Sequence, residues 1–388
     1  MKILLVSFYY SPDLCPGSFR ASALVEALQR TVPPGCHIDV ITTMPNRYSR
    51  FAVEAPAVEE HPGLTIRRIA LPAHESGMLD QSKAFIVYGK AVREHTRSAR
   101  YDVVCATSSR LMTAVLGASI ARRVGARLYL DIRDIFTDTI KDVLPSHIAL
   151  CAKPVFAWLE RWAVRRADRV NLVSQGFADY FSTRYPHQRY TYHTNGIDDG
   201  FAPAEPAAAP HDGVLSVVYA GNVGEGQGLH SILPMLARRL HGRVRFTVIG
   251  DGGRRAALEN AIVDAGVDNV AFLPPMKRLD LIAAYHSADV LFVHLNDYAA
   301  FKKVLPSKLF EYGATGKPIW AGVDGYAARF VTEEIENAAV FYPCDVEQAV
   351  AAFERLRIGQ TARAGFIAKF SRTNIVNAMA RDIVSLAA

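Results

Sequence analysis

In the segment Leu305-Pro306-Ser307-Lys308-Leu309-Phe310-Glu311-Tyr312-Gly313-Ala314-Thr315-Gly316-Lys317-Pro318, a lysine and a glutamate stand three residues apart. Ser307 is a good helix N-cap, Gly316 a good helix stop, and Pro318 opens the next strand. Within such a short helix Lys308 and Glu311 share one face. The carboxylate could take two hydrogen bonds from the vicinal hydroxyls of a ribose. The lysine, beside free amides at the helix start, could neutralise a diphosphate. An ordinary ion pair on a solvated helix has the same spacing, so spacing alone does not decide.

A second candidate is Val218-Tyr219-Ala220-Gly221-Asn222-Val223-Gly224-Glu225-Gly226-Gln227-Gly228-Leu229, where an apolar run enters a loop with four glycines. Glycines let backbone amides approach a phosphate closely, and a following helix N-terminus adds partial positive charge. Leu229 stands where GxGxxG would need its last glycine, and the loop is not a Walker A sequence. Diphosphate binding fits, NAD and ATP are not indicated, and a merely tight strand-to-helix turn remains the plain alternative.

The twelve histidines form no HxH or HExxH pattern, so no metal site is expected. His294 and Asn296 follow an apolar run and could line a binding site or be structural. The five cysteines (Cys15, Cys36, Cys105, Cys151, Cys344) are scattered without CxxC spacing, which points to a reducing cytoplasm. The formal charge of +6 is uneven. Residues 1–195 hold 25 Lys and Arg against 17 Asp and Glu, whereas 196–388 hold 19 against 21. On the first half Lys90, Arg93, Arg97 and Arg100 recur at helical spacing. Between Lys153 and Asp168, Val155, Trp158, Leu159 and Trp162 share a side, with Arg161, Arg165 and Arg166 elsewhere. The charge asymmetry suits an anionic partner, whether a membrane surface, a phosphorylated lipid or a nucleic acid, and Trp beside Arg on an amphipathic helix fits interfacial membrane contact; the alternatives are unevenly placed surface charge and a core-packed helix with a solvated basic edge.

The elements that must position these residues alternate in type almost throughout, the pattern of parallel α/β sheets. Strands are expected at Ile3–Phe8, His37–Thr43, Val103–Ala106, Arg127–Leu130 and Arg169–Val173. Helices are expected near 18–30, 83–98, 110–124, 153–167 and 175–184. Pro45–Pro62 lacks a period and reads as a long loop. Residues 196–213, with Pro203, Pro206 and Pro210, read as a linker. The alternation then resumes, with strands at Leu215–Ala220, Arg245–Ile249, Val270–Leu273, Val290–His294, Pro318–Ala321 and Ala339–Tyr342. Ile375, Val376, Met379, Ile383 and Leu386 fall on one face of a terminal helix that must pack on something. The expected organisation is a first domain at 1–195, a linker at 196–213, a second domain at 214–370, and a helix at 371–388 crossing back to the first. The opening apolar run has no cleavage site and reads as a strand. No stretch approaches the ~20 apolar residues of a membrane span.

The segment 305–318 closely resembles the signature of family 4 glycosyltransferases of the two-Rossmann (GT-B) fold. Val248-Ile249-Gly250-Asp251-Gly252, Ala288-Asp289-Val290-Leu291 and Asn195-Gly196-Ile197-Asp198 resemble that family too. Ser11-Pro12-Asp13-Leu14-Cys15-Pro16-Gly17-Ser18-Phe19-Arg20 and Asp131-Ile132-Arg133-Asp134 are similar to a bacterial subgroup that builds cell-surface polysaccharides. The resemblance runs over essentially the whole chain. It implies two Rossmann-like α/β domains facing each other across a cleft, and transfer of a sugar from a nucleoside diphosphate donor with retention and without a metal. No Asp-x-Asp pair is present, in agreement. It implies that Glu311 holds the ribose and that Ser307, Lys308 and the Leu309 amide hold the diphosphate. Gly17 would close on the donor, and Asn222 and Gly224 would line the glycine loop.

Three departures stand out. The Arg and Lys that many members carry in the first loop of the second domain are Asn222 and Gln227 here. Lys302, Lys303 and Lys308 are the nearest replacements for that charge. The sugar-reading glutamate eight residues before Glu311 is Lys303, and a histidine-aspartate pair of the first domain is Arg133-Asp134. If a base is needed, Asp134 is the candidate and Asp131 the next. The expected function is retaining transfer from a UDP-sugar to a glycan or polyprenyl-diphosphate-linked acceptor in bacterial surface polysaccharide synthesis. The enzyme would need no cofactor and no nucleic acid, and would be cytoplasmic, resting on the inner membrane through Lys90, Arg93, Arg97 and Arg133. A nucleotide-sugar epimerase on the same fold and a non-catalytic membrane scaffold are the alternatives.

Overall fold

Short apolar runs such as Lys2–Val6, Val103–Thr107 and Val290–His294 are buried almost end to end. That is how central strands of a parallel sheet must look, since helices cover both faces. A computed structural model describes residues 1–13, 15–45, 54–72, 78–108, 111–135, 146–201 and 213–387. Most of the expected linker (202–212), part of the expected loop (46–53), Leu14 and Arg110 lie outside the described residues. The chain divides into two compact units, Met1–Asn195 with Arg372–Ala388, and Gly196–Ser371.

The first unit is built on an eight-stranded sheet. Its strands are β1 (Lys2–Val6), β2 (His37–Thr43), β3 (Val58–His61), β4 (Leu64–Ile69), β5 (Val103–Thr107), β6 (Arg127–Ile132), β7 (Arg169–Leu172) and β8 (Tyr190–Thr191). They lie in the order β3-β4-β2-β1-β5-β6-β7-β8. All pairings are parallel except the β3–β4 hairpin. That hairpin corrects the expected loop at Pro45–Pro62. Val58-Glu59-Glu60-His61 is polar because it is an edge strand with all four positions partly or fully exposed, so it carries no apolar period to read. Around the sheet lie α1 (Pro16–Thr31), α2 (Met78–His95), α3 (Leu111–Val124), α4 (Ser146–Val164), α5 (Ala178–Arg184) and the terminal helix α6 (Arg372–Val384). Val376, Met379, Ala380 and Ile383 of α6 are buried in one core with Leu24, Val25 and Leu28 of α1 and Ile3 and Leu5 of β1.

The second unit holds six parallel strands: β9 (Leu215–Ala220), β10 (Val244–Ile249), β11 (Val270–Leu273), β12 (Val290–His294), β13 (Ile319–Gly322) and β14 (Ala338–Phe341). Their order is β11-β10-β9-β12-β13-β14. The chain therefore builds outward from β9 in one direction and then from β12 in the other. The reversal between β9 and β12 is a topological switch point, where an open α/β sheet leaves a crevice beyond its carboxyl ends.

Candidate functional site

Both segments singled out first arrive at that switch point. The loop after β9 begins at Gly221, and the loop after β12 leads through Lys302 and Lys303 into a helix at Lys308–Thr315. Gly221 takes φ +155°, and a Cβ there would lie 2.6 Å from Lys308 Cε. The lysine stem thus runs directly over the glycine. Gly250, after β10, takes φ +141°, and a Cβ on it would fall 1.9 Å from the Gly221 carbonyl oxygen. Glycine at both places is what lets the two loops touch backbone to backbone.

Beyond Gly221, the Lys308 ammonium donates to the Tyr285 hydroxyl at 3.4 Å, and that hydroxyl donates to Glu311 Oε2 at 3.3 Å. Lys308 and Glu311 also stand 3.6 Å apart as a loose ion pair, 22% and 15% exposed. Burial, and after it the Glu311 charge, push the Tyr285 phenol well above its ordinary pKa, so it serves as a neutral bridge. The neighbouring Tyr312 hydroxyl accepts the Ala220 amide at 3.1 Å, which pins the root of the glycine loop to the helix. Neither tyrosine was legible as a site residue. Tyr312 sits beside Glu311 in the signature, but nothing in the spacing of Tyr285 pointed here.

Two expectations for this helix need correction. Ser307 occupies the N-cap position with helical backbone angles, and its hydroxyl makes no capping bond. The Leu309 amide donates to the Pro306 carbonyl at 3.1 Å, because the chain enters in a tight turn. The open amides, among the described residues, belong to Ser307 and Lys308. Lys302 is also elsewhere employed: its ammonium pairs with Asp324 at 2.8 Å and lies 5.6 Å from the Tyr342 ring. The hydrogen bond to Asp324 and that carboxylate's charge raise the Lys302 pKa. Lys303 is half-buried in the same turn.

Asn222 and Gln227, which stand in place of charged residues, are bonded to each other at 2.8 Å. Gly224 lies against this pair, since a Cβ on it would meet Asn222 Nδ2 at 2.4 Å. The loop therefore closes on a neutral amide latch. His294 is not a surface lining group: it is 1% exposed and bonded on both ring nitrogens.

In the first unit, Asp131 is the penultimate residue of β6 and is 1% exposed. Arg20 grips it through two bonds of 2.9 Å, and Asn171 donates to it at 2.7 Å. Arg20 also donates to the carbonyls of Thr194 and His193. Burial works to raise the Asp131 pKa, yet the Arg20 charge and bonds hold it below the usual range. Asp131 is thus a locked ion-pair partner and not a base. Arg133 follows it, its amide bonded to Ser108 Oγ at 3.1 Å, and burial lowers its pKa to about 10, so it stays charged at neutral pH. Asp134 is exposed and lines a small cavity with Ser108, Ile132 and Glu160. Gly17 lies in the first turn of α1, where a Cβ would approach Tyr9 no closer than 3.8 Å.

Lys90, Arg93 and Arg97 are exposed on or just after α2, with Ile86 55% and Val87 39% exposed on the same helix. On α4, Val155 is 55% and Trp158 61% exposed, so the apolar side of that helix is not core-packed throughout. Both helices pack against α3. No helix among the described residues is long and apolar enough to cross a membrane, and no His, Cys, Asp and Glu among them cluster as a metal site.

Comparison with known proteins agrees with this architecture. Residues 18–196 match the glycosyl transferase 4-like domain, and residues 206–369 match glycosyl transferases group 1. Over 100 residues the chain is 31% identical to WcaI of Escherichia coli K12, named for colanic acid biosynthesis glycosyl transfer; the match spans 26% of this chain and 24% of that protein. Among solved structures, a sucrose-phosphate synthase from Thermosynechococcus elongatus superposes with a TM-score of 0.70 at 16% identity, covering 99% of this chain and 94% of that one. Anabaena HepE, solved with UDP and glucose, gives 0.62 at 18% identity over 100% and 97%. With two α/β sheet units and both family models matched in tandem, the chain belongs to the family 4 type glycosyltransferases of the GT-B fold.

Proposed function

We propose that the chain transfers a sugar from a UDP-linked donor, with retention and without a metal, to a glycan or polyprenyl-diphosphate-linked acceptor in bacterial surface polysaccharide assembly. The observation that carries the reading is the array Lys308–Tyr285–Glu311 under the Gly221 loop at the switch point. The Glu311 carboxylate accepts only one long bond from Tyr285 and keeps room for the two hydroxyls of a ribose. Lys308, with the amides of Ser307 and Lys308, supplies fixed positive charge where a departing diphosphate gains negative charge. Asn222 and Gly224 shape the loop around that diphosphate, while Lys302 and Lys303 border it. HepE, of the same fold, was solved with UDP.

In such a transfer the acceptor oxygen bonds to the anomeric carbon on the face the diphosphate leaves. The bond from that carbon to the phosphate oxygen breaks, and the leaving oxygen takes the acceptor proton. The protein contributes position and charge and forms no covalent bond to the sugar. On the first unit, Gly17, Arg133 and Asp134 serve the donor and acceptor side. Ile86, Val87, Val155 and Trp158, set among Lys90, Arg93, Arg97 and Arg161, support seating on an anionic inner-membrane surface, with aromatic and aliphatic groups entering the interface and cations meeting the headgroups.

The test is thermal shift with a panel of nucleoside diphosphates, followed by Glu311→Ala. UDP at about 100 times its Kd stabilises the fold by about 2.7 kcal/mol and should raise the Tm selectively. Glu311→Ala should weaken UDP binding at least ~10-fold with the fold intact. No selective shift, or unchanged affinity in the variant, would remove the donor assignment.

A further inference from the structure

The glycine loop is held from behind by one buried ring. His294, the last residue of β12, lies with Nδ1 2.6 Å from the Gln227 carbonyl oxygen, while its Nε2 is 3.0 Å from the Cys344 amide. One imidazole can donate to the first and accept from the second only when neutral, with its proton on Nδ1. Burial, against the pull of the Gln227 carbonyl, lowers its pKa to about 4, so that state holds at neutral pH. The ring clusters with Phe292 and Phe341, their centroids 6.1 and 6.0 Å from it and 6.2 Å from each other. Gly322 on β13 makes the space, since a Cβ there would fall 2.3 Å from His294 Cδ2. An aliphatic or phenyl side chain would fill this apolar slot without desolvating two ring nitrogens.

What the histidine supplies is direction. Two residues on, the Asn296 side chain donates to the Glu225 carbonyl at 3.0 Å, and its amide donates to the Gly226 carbonyl at 2.9 Å. With Gln227, three successive carbonyls of the loop are tied to the end of β12. A trans peptide points its N–H opposite to its C=O, so fixing these carbonyls fixes the amides of Gly226, Gln227 and Gly228 as well. We infer that His294 is a positioning residue that holds the 224–228 loop in its diphosphate-accepting form; its service to the donor rests on the UDP reading above.

The two ring nitrogens can be tested separately. His294→Asn keeps an amide donor near the Nδ1 position and loses the acceptor for Cys344. His294→Gln reaches toward the Nε2 position and loses the bond to Gln227, and His294→Phe loses both. All three should lower the urea midpoint. Hydrogen exchange at the amides of 226–228 should stay near wild type in the Asn variant and speed at least ~10-fold in the Gln and Phe variants, without any ligand. UDP Kd should follow the same division, within ~3-fold for Asn and weakened at least ~10-fold for the others. Exchange that is unchanged in all three variants, or equally fast in all three, overturns the positioning role. Exchange that divides as expected while UDP Kd stays constant overturns its service to the donor. A wild-type protein indifferent to UDP would instead fail the donor reading, with exchange still deciding the role of the ring.

Discussion

Replacing Gly221 with alanine should injure function far more than stability. The added Cβ would sit 2.6 Å from Lys308 Cε, where carbon atoms settle at about 3.5–4.0 Å. The lysine stem must therefore give way by about 1 Å. Being flexible, it can move without disturbing the core. The remaining cost is alanine at φ +155°, a region used almost only by glycine, about 1–3 kcal/mol and so a few degrees in Tm. A displacement of about 1 Å at a charged group can cost on the order of 10²-fold in rate. Losing the Lys308 contact should weaken UDP binding by at least ~10-fold. The assay pairs turnover of the UDP-sugar selected by thermal shift with calorimetric UDP affinity, both set against Tm. Gly253→Ala is the control in the neighbouring loop, because its Cβ would meet nothing within 4 Å. A double-mutant cycle with Lys308→Ala closes the argument, since in that background the Gly221 substitution should cost little beyond backbone strain. A folded Gly221→Ala protein with unchanged turnover and UDP affinity would refute the reasoning. So would an equal loss with and without Lys308.

Arg20→Ala should destabilise the protein by about 3–5 kcal/mol, as it leaves the Asp131 charge buried without its partner; a denaturant midpoint close to wild type would contradict this. Stability should fall as pH drops from about 6.5 toward 4, because the unfolded chain takes up protons that buried His294 refuses, a loss of roughly 3 kcal/mol. His193, whose pKa is lowered to about 4 by burial and then by the Arg20 charge, adds to the same window. Urea midpoints at pH 7, 5.5 and 4 read this, and His294→Phe should flatten the slope. Sedimentation with anionic vesicles should be strong at low salt and weak at high salt, and Trp158→Ala should reduce it at both. Equal sedimentation with neutral vesicles would count against the membrane surface.

The α/β alternation and the parallel character of both sheets were legible because central strands buried on two faces must be written as continuous apolar runs. Val290–His294 and Leu215–Ala220 are such runs, and they form strands at those bounds. Strands at the margins obey weaker rules. Val58–His61 is mostly polar, the alternation of Leu64–Ile69 is broken by the adjacent Arg67 and Arg68, and Tyr190–Thr191 is too short to show a period. At the site, the nearness of Lys308 and Glu311 followed from helical spacing. Tyr285 did not, since its role comes from the packing of a helix at Arg278–Ser287 against the signature helix, a tertiary fact with no local trace. Asp131 shows the reverse failure. A carboxylate in a motif looks available on paper, and only the distant Arg20 reveals that its charge is already taken. His294 did leave a mark, as the one polar residue closing an apolar strand, but the mark could not say whether the ring faced a ligand or the backbone.

The first unit takes its last helix from a segment that lies beyond the second unit in sequence. Residues 372–384 complete the core against α1, and they leave the ribosome only after the whole second unit. During synthesis residues 196–371 can finish folding while Leu24, Val25 and Leu28 still lack their cover, so the first unit is made before the second and matures after it. A gene fragment stopped at residue 195 therefore encodes a body with an open seam. An independent first unit would have to be assembled by splicing 1–195 to 372–388.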